Sequence, residues 1–232
     1  MAKLHGKHTR IFIDGYDISG DFNSFEPSNA SDTAEVSGFG DDIKKYVAGL
    51  PDSSMRLAGL FNDSANAGHA IMTARLNNDV MFTGIWGNTS GRFGASGSAL
   101  MSEYSASSPI GGAVAINAQF SGAGSSAGTF HFVQTILDKS GLVTAGVSGT
   151  VDTGTVSSPG AAGHLQFFSG TGTIALQDAS STAGPFTTRI NFGLRTAPYA
   201  AYIGTYNGTP DRYWRAIMLN GTGTAWAGLR RL

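Results

Sequence analysis

The chain has no cysteine, so neither a disulfide framework nor a thiolate metal site can form, and folding in a reducing compartment is the simplest fit. Charge is also scarce: Asp, Glu, Lys and Arg together make up 13% of the 232 residues. No apolar run approaches the ~18 residues that span a bilayer, which argues against membrane insertion. The opening MAKLHGKHTR is basic but leads into short alternation and acids, not into the apolar stretch of a signal peptide. Without such a signal, the N-x-[ST] sequons at Asn29, Asn62, Asn88, Asn207 and Asn220 read as chance in a Ser/Thr-rich chain. The expectation is a soluble protein made in the cytoplasm.

What the chain has in quantity is glycine, at 33 residues, with Ser, Thr and Ala filling the gaps. That composition suits short strands and tight turns better than helices. The hydrophobic content is 41%. This is enough apolar surface to offset the entropy of ordering. The net charge of −1 hides an asymmetry. Residues 1–141 hold nine Lys/Arg against thirteen Asp/Glu, a net of −4, and residues 142–232 hold six Arg against three Asp, a net of +3. Asp14, Asp17, Asp21, Glu26, Asp32, Glu35, Asp41 and Asp42 follow Arg10 with no base before Lys44.

Along the chain, RIFIDGYDIS reads as a β-hairpin: Ile11 and Ile13 share one face, Phe12 takes the other, and Asp14-Gly15 supplies the positive φ of a type I′ turn. Residues 23–49 read as loop-rich, with Asp32-x-x-Glu35 as a capping box and Asp41 or Asp42 capping a short turn at IKKYV. Ser54 to Leu60 alternates as a strand, and one helix is expected near 64–77, capped by Asn62, Asp63 or Ser64. VMFTGIWG, ASGSALMSEYSA and GAVAINAQF read as strands, and FHFVQTILDK as a strand or short helix. After two Gly/Ser-rich connectors come six strand candidates, HLQFF, TIALQD, FTTRINF, YAAYIGTY, RYWRAIML and TAWAGL. The fold class expected is all-β with one short helix: an antiparallel sheet or barrel over residues 1–141, then a small β-sandwich over 142–232.

The chemistry is thin. GSSAG at 124–128 matches G-x-S-x-G around Ser126, but it lies inside low complexity and lacks the α/β pattern that a nucleophile elbow requires. His5 and His8 with Asp14 lack metal-ligand spacing, and His69, His131 and His164 are single. No glycine motif carries a phosphate-cradling lysine, so no cofactor, no metal and no enzymatic activity are expected. Tyr213 and Trp214, beside Arg212 and Arg215, suit stacking on a sugar or base. Strand alternation turns Tyr213 and Trp214 to opposite faces, and Trp214 then reads as core.

The order of IFIDGYDIS, SDTAEVSGFGDDIKKYVAGLPD and SMRLAGLFND resembles the N-terminal half of phage tail tube (major tail) proteins. There a DG hairpin (here Ile11 to Ser19), an acidic Thr-rich loop (Ser31 to Glu35), an FGD element (Phe39 to Asp52) and an L-x-G strand (Leu57 to Phe61) follow one another. Ala48 stands where such sequences often have Pro before Gly-Leu, and Pro51 follows instead. The resemblance implies a subunit of the virion that is assembled in the host cytoplasm. It would form hexameric rings stacked into a tube through which DNA leaves the capsid, with an outward C-terminal domain. It also implies partners: other copies of the chain, further virion proteins, and DNA passing without adhesion. Asp14, Asp17, Asp21, Asp41 and Asp42 are then candidates for lumen-facing or assembly acids, since a hexamer would carry roughly −24 from this part. Two other readings stay open: a capsid decoration or minor capsid protein, and a carbohydrate- or receptor-binding module using Tyr213 and Trp214.

Overall fold

The computed structural model describes residues 6–122, 130–154 and 160–232, and the GSSAG segment around Ser126 lies outside them. Strands dominate, in the order β1 (Thr9–Ile13), β2 (Tyr16–Asp17), β3 (Phe22–Glu35), β4 (Tyr46–Leu60), the helix α1 (Gly68–Arg75), β5 (Asp79–Trp86), β6 (Phe93–Ser107), β7 (Ala115–Gly122), β8 (His131–Val143), β9 (Val151–Asp152), β10 (Ala161–Ala179), β11 (Thr187–Thr196), β12 (Tyr199–Tyr206) and β13 (Tyr213–Arg231). The strand pairings are antiparallel and run as one continuous sheet, β11-β10-β13-β8-β6-β5-β1-β2, with β7, β4 and β3 continuing from the far half of β6. The all-β fold with one short helix is thus what the chain adopts.

Two apolar clusters divide the chain, one drawing on residues up to Phe130 and the other on residues from Ile136 onward, β8 included. One joins Ile11, Ile13, Met55, Leu57, Phe82, Phe120 and their neighbours, the other Leu165, Phe167, Phe192, Trp214 and Met218 with theirs. Between them sits a third, of Phe12, Ile85, Val133 and Trp226. Strand alternation explains the split. Ile11 and Ile13 face the first cluster, while Phe12 on the opposite face meets Trp226 and Phe168. The turn between β1 and β2 has φ of 48° at Asp14 and 81° at Gly15. This is the left-handed geometry that Asp-Gly favours.

That turn is fastened to the C-terminal half. The Gly15 N–H donates to Gln166 Oε1 (2.8 Å), and Gln166 Nε2 donates to the Met81 carbonyl and to Thr83 Oγ1, both at 3.1 Å. Gln166 is fully buried. A Cβ on Gly15 would lie 2.5 Å from the Tyr199 nitrogen and 2.6 Å from the Phe167 carbonyl oxygen. Only glycine fits there.

Several elements differ from the sequence reading. The six C-terminal strand candidates are four, because HLQFF and TIALQD are one 19-residue strand (β10), and RYWRAIML and TAWAGL another (β13). The intervening glycines pair instead of turning: Gly170 faces Gly223, and Gly172 faces Gly221. Gly170 and Gly221 have φ of 88° and 80° beside register shifts. They act as bulges in a continuous ladder. FHFVQTILDK is strand from His131 on, within β8. The helix is shorter than 64–77, and none of Asn62, Asp63 or Ser64 is its cap. Ala67 holds the N-cap position without a side-chain bond, and Asp21, remote in sequence, accepts the Gly68 N–H at 2.6 Å. Nor is there a capping box at Asp32 and Glu35, for both lie in β3.

His131, His164 and Tyr202 form a ring cluster between the two halves, with His131–His164 centroids 5.6 Å apart and His164–Tyr202 centroids 4.9 Å apart. Neither nitrogen of His164 meets a hydrogen-bond partner among the described residues. Burial lowers the pKa of His131 to about 4, helped by the Arg230 charge, and pushes His164 well below its usual value, helped by His131 and Arg230. An imidazolium deprived of water is the disfavoured form in both cases.

The buried amide and the buried imidazoles can each be tested by unfolding. Gln166→Leu leaves the buried Gly15 N–H unpaired, while the Met81 carbonyl keeps its bond from the Asp14 N–H, and should cost about 2 kcal/mol in urea unfolding, whereas Gln119→Leu on the exposed sheet face should cost little. The histidines bind protons more weakly folded than unfolded. Their stabilisation is therefore complete above about pH 6.5 and is lost as pH falls from there toward 4 and below, at about 1.4 kcal/mol per pH unit for each proton. The slope of unfolding free energy between about pH 6.5 and 5 should flatten in His164→Phe; an unchanged slope would refute the assignment.

Candidate assembly interface

The candidate acids divide into two groups. Asp14 is half-buried and Asp17 exposed, and both are held within the subunit. Asp14 Oδ1 accepts the Met81 N–H (2.8 Å) and its Oδ2 pairs with Arg75 Nε (2.8 Å). Asp17 pairs with Lys139 Nζ and accepts from Ser19. Burial pushes the Asp14 carboxyl up despite these partners; for Asp17 the burial effect is outweighed by the bonds from Lys139 and Ser19, and its pKa falls. Asp21 accepts from the Gly68 N–H and from Asn62 Nδ2 (2.7 Å). All three fasten the turn, the sheet and the helix to one another. Asp41 and Asp42 instead stand at the exposed tip of the β3–β4 hairpin, where Asp41 pairs with Lys45 and accepts the Gly38 N–H (2.8 Å).

Trp214 is fully buried, and its Nε1–H donates to the Asp211 carbonyl at 2.8 Å, so its faces are occupied by the second cluster. Tyr213 on the opposite face is half-exposed, with the Arg212 guanidinium 5.3 Å from its ring centroid. The guanidinium is itself tied to Asp152 by bonds of 2.8 and 2.6 Å. The structure therefore does not bring the two aromatics to one surface. His69 is also occupied, bonded to the Tyr104 hydroxyl at 2.9 Å. Among the described residues no group of three His, Asp or Glu side chains could hold a metal, and no helix is long and apolar enough to cross a membrane.

The segment whose composition reads as loop is the most distinctive part of the molecule. β3 and β4 pair from Phe22–Gly59 out to Glu35–Tyr46, and only the inner part of β4, Ser54–Leu60, is covered by β7. The inner part is anchored: Ser53 Oγ donates to Asn29 Oδ1, Asn29 Nδ2 donates to the Phe130 carbonyl, and the Phe130 N–H donates to Ser53 Oγ. Beyond that knot residues 30–52 are all exposed. At ~3.3 Å per residue, the arm reaches roughly 20 Å past the knot before its turn. Val36, Phe39, Ile43, Tyr46, Val47 and Leu50 are exposed on it, Ile43 at 74% and Leu50 at 82%. An isolated two-stranded hairpin is marginal in water, and this one buries none of its apolar side chains within the subunit. The whole outer edge of β3 is also unpaired among the described residues, a template for a further strand.

No family model matches the sequence, and no curated protein matches it. Among solved structures the chain is similar to a chain from the virion of a native gene transfer agent particle, at 14% identity and a TM-score of 0.46, over 56% of this chain and 98% of that one. It is similar to a chain from the tail of an empty gene transfer agent particle with C6 symmetry, at 15% identity and a TM-score of 0.44, over 53% and 96%. It is also similar to the Dit protein of phage SPP1, described as a paradigm of the hub adsorption apparatus of phages infecting Gram-positive hosts, at 12% identity and a TM-score of 0.40, over 96% and 99%.

Because the arm contributes no burial to the subunit, replacing residues 30–52 by an Asn-Gly turn should shift the melting temperature of the monomer by no more than about 2 °C. A collapse of the melting transition would show that the arm belongs to the folding unit.

Proposed function

We propose that the chain is a structural, non-enzymatic subunit of the tail of a phage-like virion, that its copies close into rings, and that the rings stack into a tube through which DNA passes. Residues 1–141 would form the tube domain, and residues 142–232 an outward domain. The observation that carries this reading is the arm, which exposes Phe39, Ile43 and Leu50. A soluble monomer gains nothing from such a hairpin, whereas a subunit surrounded by copies of itself can bury those side chains. The open edge of β3 offers a second route to the same end, lateral addition of a neighbour's strand. The order of sequence elements shared with tail tube proteins points the same way.

The outer face of β3, β4, β7 and β6 suits a channel wall. A shallow groove there is lined by Ser24, Glu26, Arg56, Glu103, Asn117 and Gln119. Arg56 is the one cation of that lining, set against two carboxylates. DNA binding strengthens with each cation that replaces a counterion on the phosphates, so a wall without a row of Lys or Arg lets DNA slide. The acids of the β1–β2 turn, held by partners inside the subunit, are not needed for this.

Negative-stain electron microscopy of the purified chain at increasing concentration tests the reading. Hollow tubes with a regular axial repeat are expected, and the variant with residues 30–52 replaced should remain monomeric. A wild-type chain that stays monomeric at every concentration would sink the proposal. Closed rings that never stack would remove the tube while leaving ring assembly in place.

A further inference from the structure

We infer that the arm of one copy docks on an aromatic shelf of the next, built from Trp86, Phe93 and Phe132; this rests on the self-assembly reading above. The shelf lies at the ends of β5, β6 and β8 that are brought together by the pairing of Phe93 with Gln134. Trp86 and Phe132 stack with ring centroids 6.2 Å apart and an interplanar angle of 28°. Phe93 and Phe132 are each 60% exposed, although their strand neighbours Gly94, Ala95, His131 and Val133 are buried. The pairing of Ile11 with Gly84, Gly84 with Ala95 and Ala95 with Phe132 sets these rings on the sheet face that carries Ile11, beyond the margin of the first apolar cluster, where they stay uncovered.

Two grooves flank the stack. One, of about 640 Å³, lies between β1 and β3 and includes Lys7, Ile11, Phe22, Phe25 and Trp86. The other, of about 220 Å³, lies beside Phe93, Phe132, Gln134, Leu229 and Arg231. The shelf is therefore an apolar ridge with a trough on each side, a shape into which the side chains of a hairpin tip can interdigitate.

Charge selects the occupant. The arm, residues 30–52, carries Asp32, Glu35, Asp41, Asp42 and Asp52 against Lys44 and Lys45, a net of −3. The shelf is rimmed by Lys7 and Arg231, and Arg92 lies across Gly87 next to Trp86. One carboxylate, Glu26, lines the larger groove and accepts from Ser24. Asp152, beyond Gln134, is taken up by Arg212. An acidic tip with apolar side chains and a basic rim around an aromatic ridge are complementary in both respects. Within one subunit they do not meet: the arm and the Phe93 and Phe132 rings are exposed, while the half-buried Trp86 packs on the first cluster. A head-to-tail contact needs two different patches on the same chain, and these are two such patches.

The absence of cysteine makes the test direct. Phe39→Cys and Phe132→Cys chains, prepared separately, are mixed under assembly conditions and oxidised. A disulfide-linked pair containing one chain of each kind is expected. Phe39→Cys mixed with Leu194→Cys, whose side chain is exposed on β11, should give none. In parallel, Phe132→Ser should raise the concentration needed for assembly at least about tenfold, as loss of an aromatic anchor does, while the monomer melts as the wild type does. Particles that assemble without the Phe39–Phe132 pair forming, or a Phe132→Ser chain that assembles at the wild-type concentration, would overturn the shelf and leave self-assembly standing. A wild-type chain that never assembles overturns both.

Discussion

Everything in the body of the molecule turns on one buried amide. Gln166 is out of contact with water; its carbonyl accepts the Gly15 N–H, and its amino group donates to the Met81 carbonyl and the Thr83 hydroxyl. Its partners belong to the β1–β2 turn and to β5, while Gln166 itself is part of β10, whose other residues build the second apolar cluster. A polar group costs free energy when buried without partners, so the site is stable only when the two halves are in register. The amide thereby fixes where Phe12 meets Trp226 and Phe168, the aromatic contacts that join the halves. Hydrophobic contact alone would tolerate sliding; three directional bonds do not.

This constraint explains why the first hairpin is so heavily tied down. Asp14, Asp17 and Asp21 reach the start of β5, β8 and the N-terminus of α1 respectively. The turn is consequently surrounded by bonds on every side, and its conformation leaves room for no side chain at Gly15. The contrast with the β3–β4 arm is sharp. On the body side of the knot of Asn29, Ser53 and Phe130, β4 alternates between core and solvent; beyond it every residue is exposed. One chain has a body whose polar and apolar groups are largely matched internally and an arm whose groups are not. Such a division suits the first to folding and, on the proposed assembly, the second to association.

That division also decides what can be read from the sequence. The DG hairpin and the split of Ile11 and Ile13 from Phe12 are legible, because a half-buried strand writes its two faces as alternation. The arm is not, since a strand that buries neither face carries no alternation, and its Ser, Asn, Asp and Gly residues look like loop. The 19-residue strands β10 and β13 escape for a related reason. Gly-Thr-Gly runs signal turns locally, yet two such runs facing each other across a ladder relieve one another's crowding and continue it. The helix start is invisible because its acid, Asp21, lies 47 residues upstream of Gly68. Trp214 is recoverable as core from alternation beside Tyr213, whereas the Trp86–Phe132 ridge is not, because pairing across strands brings together residues that sequence keeps apart.

The charge asymmetry takes on a different meaning once placed in space. Of the net −4 of residues 1–141, −3 belongs to residues 30–52, so the remainder of the N-terminal body is close to neutral. The excess of acid lies on the one segment that projects, and in the described structure only Glu35 and Asp41 of that segment pair with a cation. In the C-terminal half Arg189 and Arg212 are neutralised by Asp178 and Asp152, and burial depresses the pKa of Arg231 despite the nearby Asp152. On the docking inferred above, the half-buried Arg231 at the rim of the aromatic ridge and the projecting acidic hairpin each gain when they meet, because exclusion of water strengthens the attraction between them. A channel wall needs only to lack cations, whereas an association arm must carry a sign. On the proposed assembly, the excess of acid on the arm fits the demands of subunit contact more closely than those of DNA repulsion.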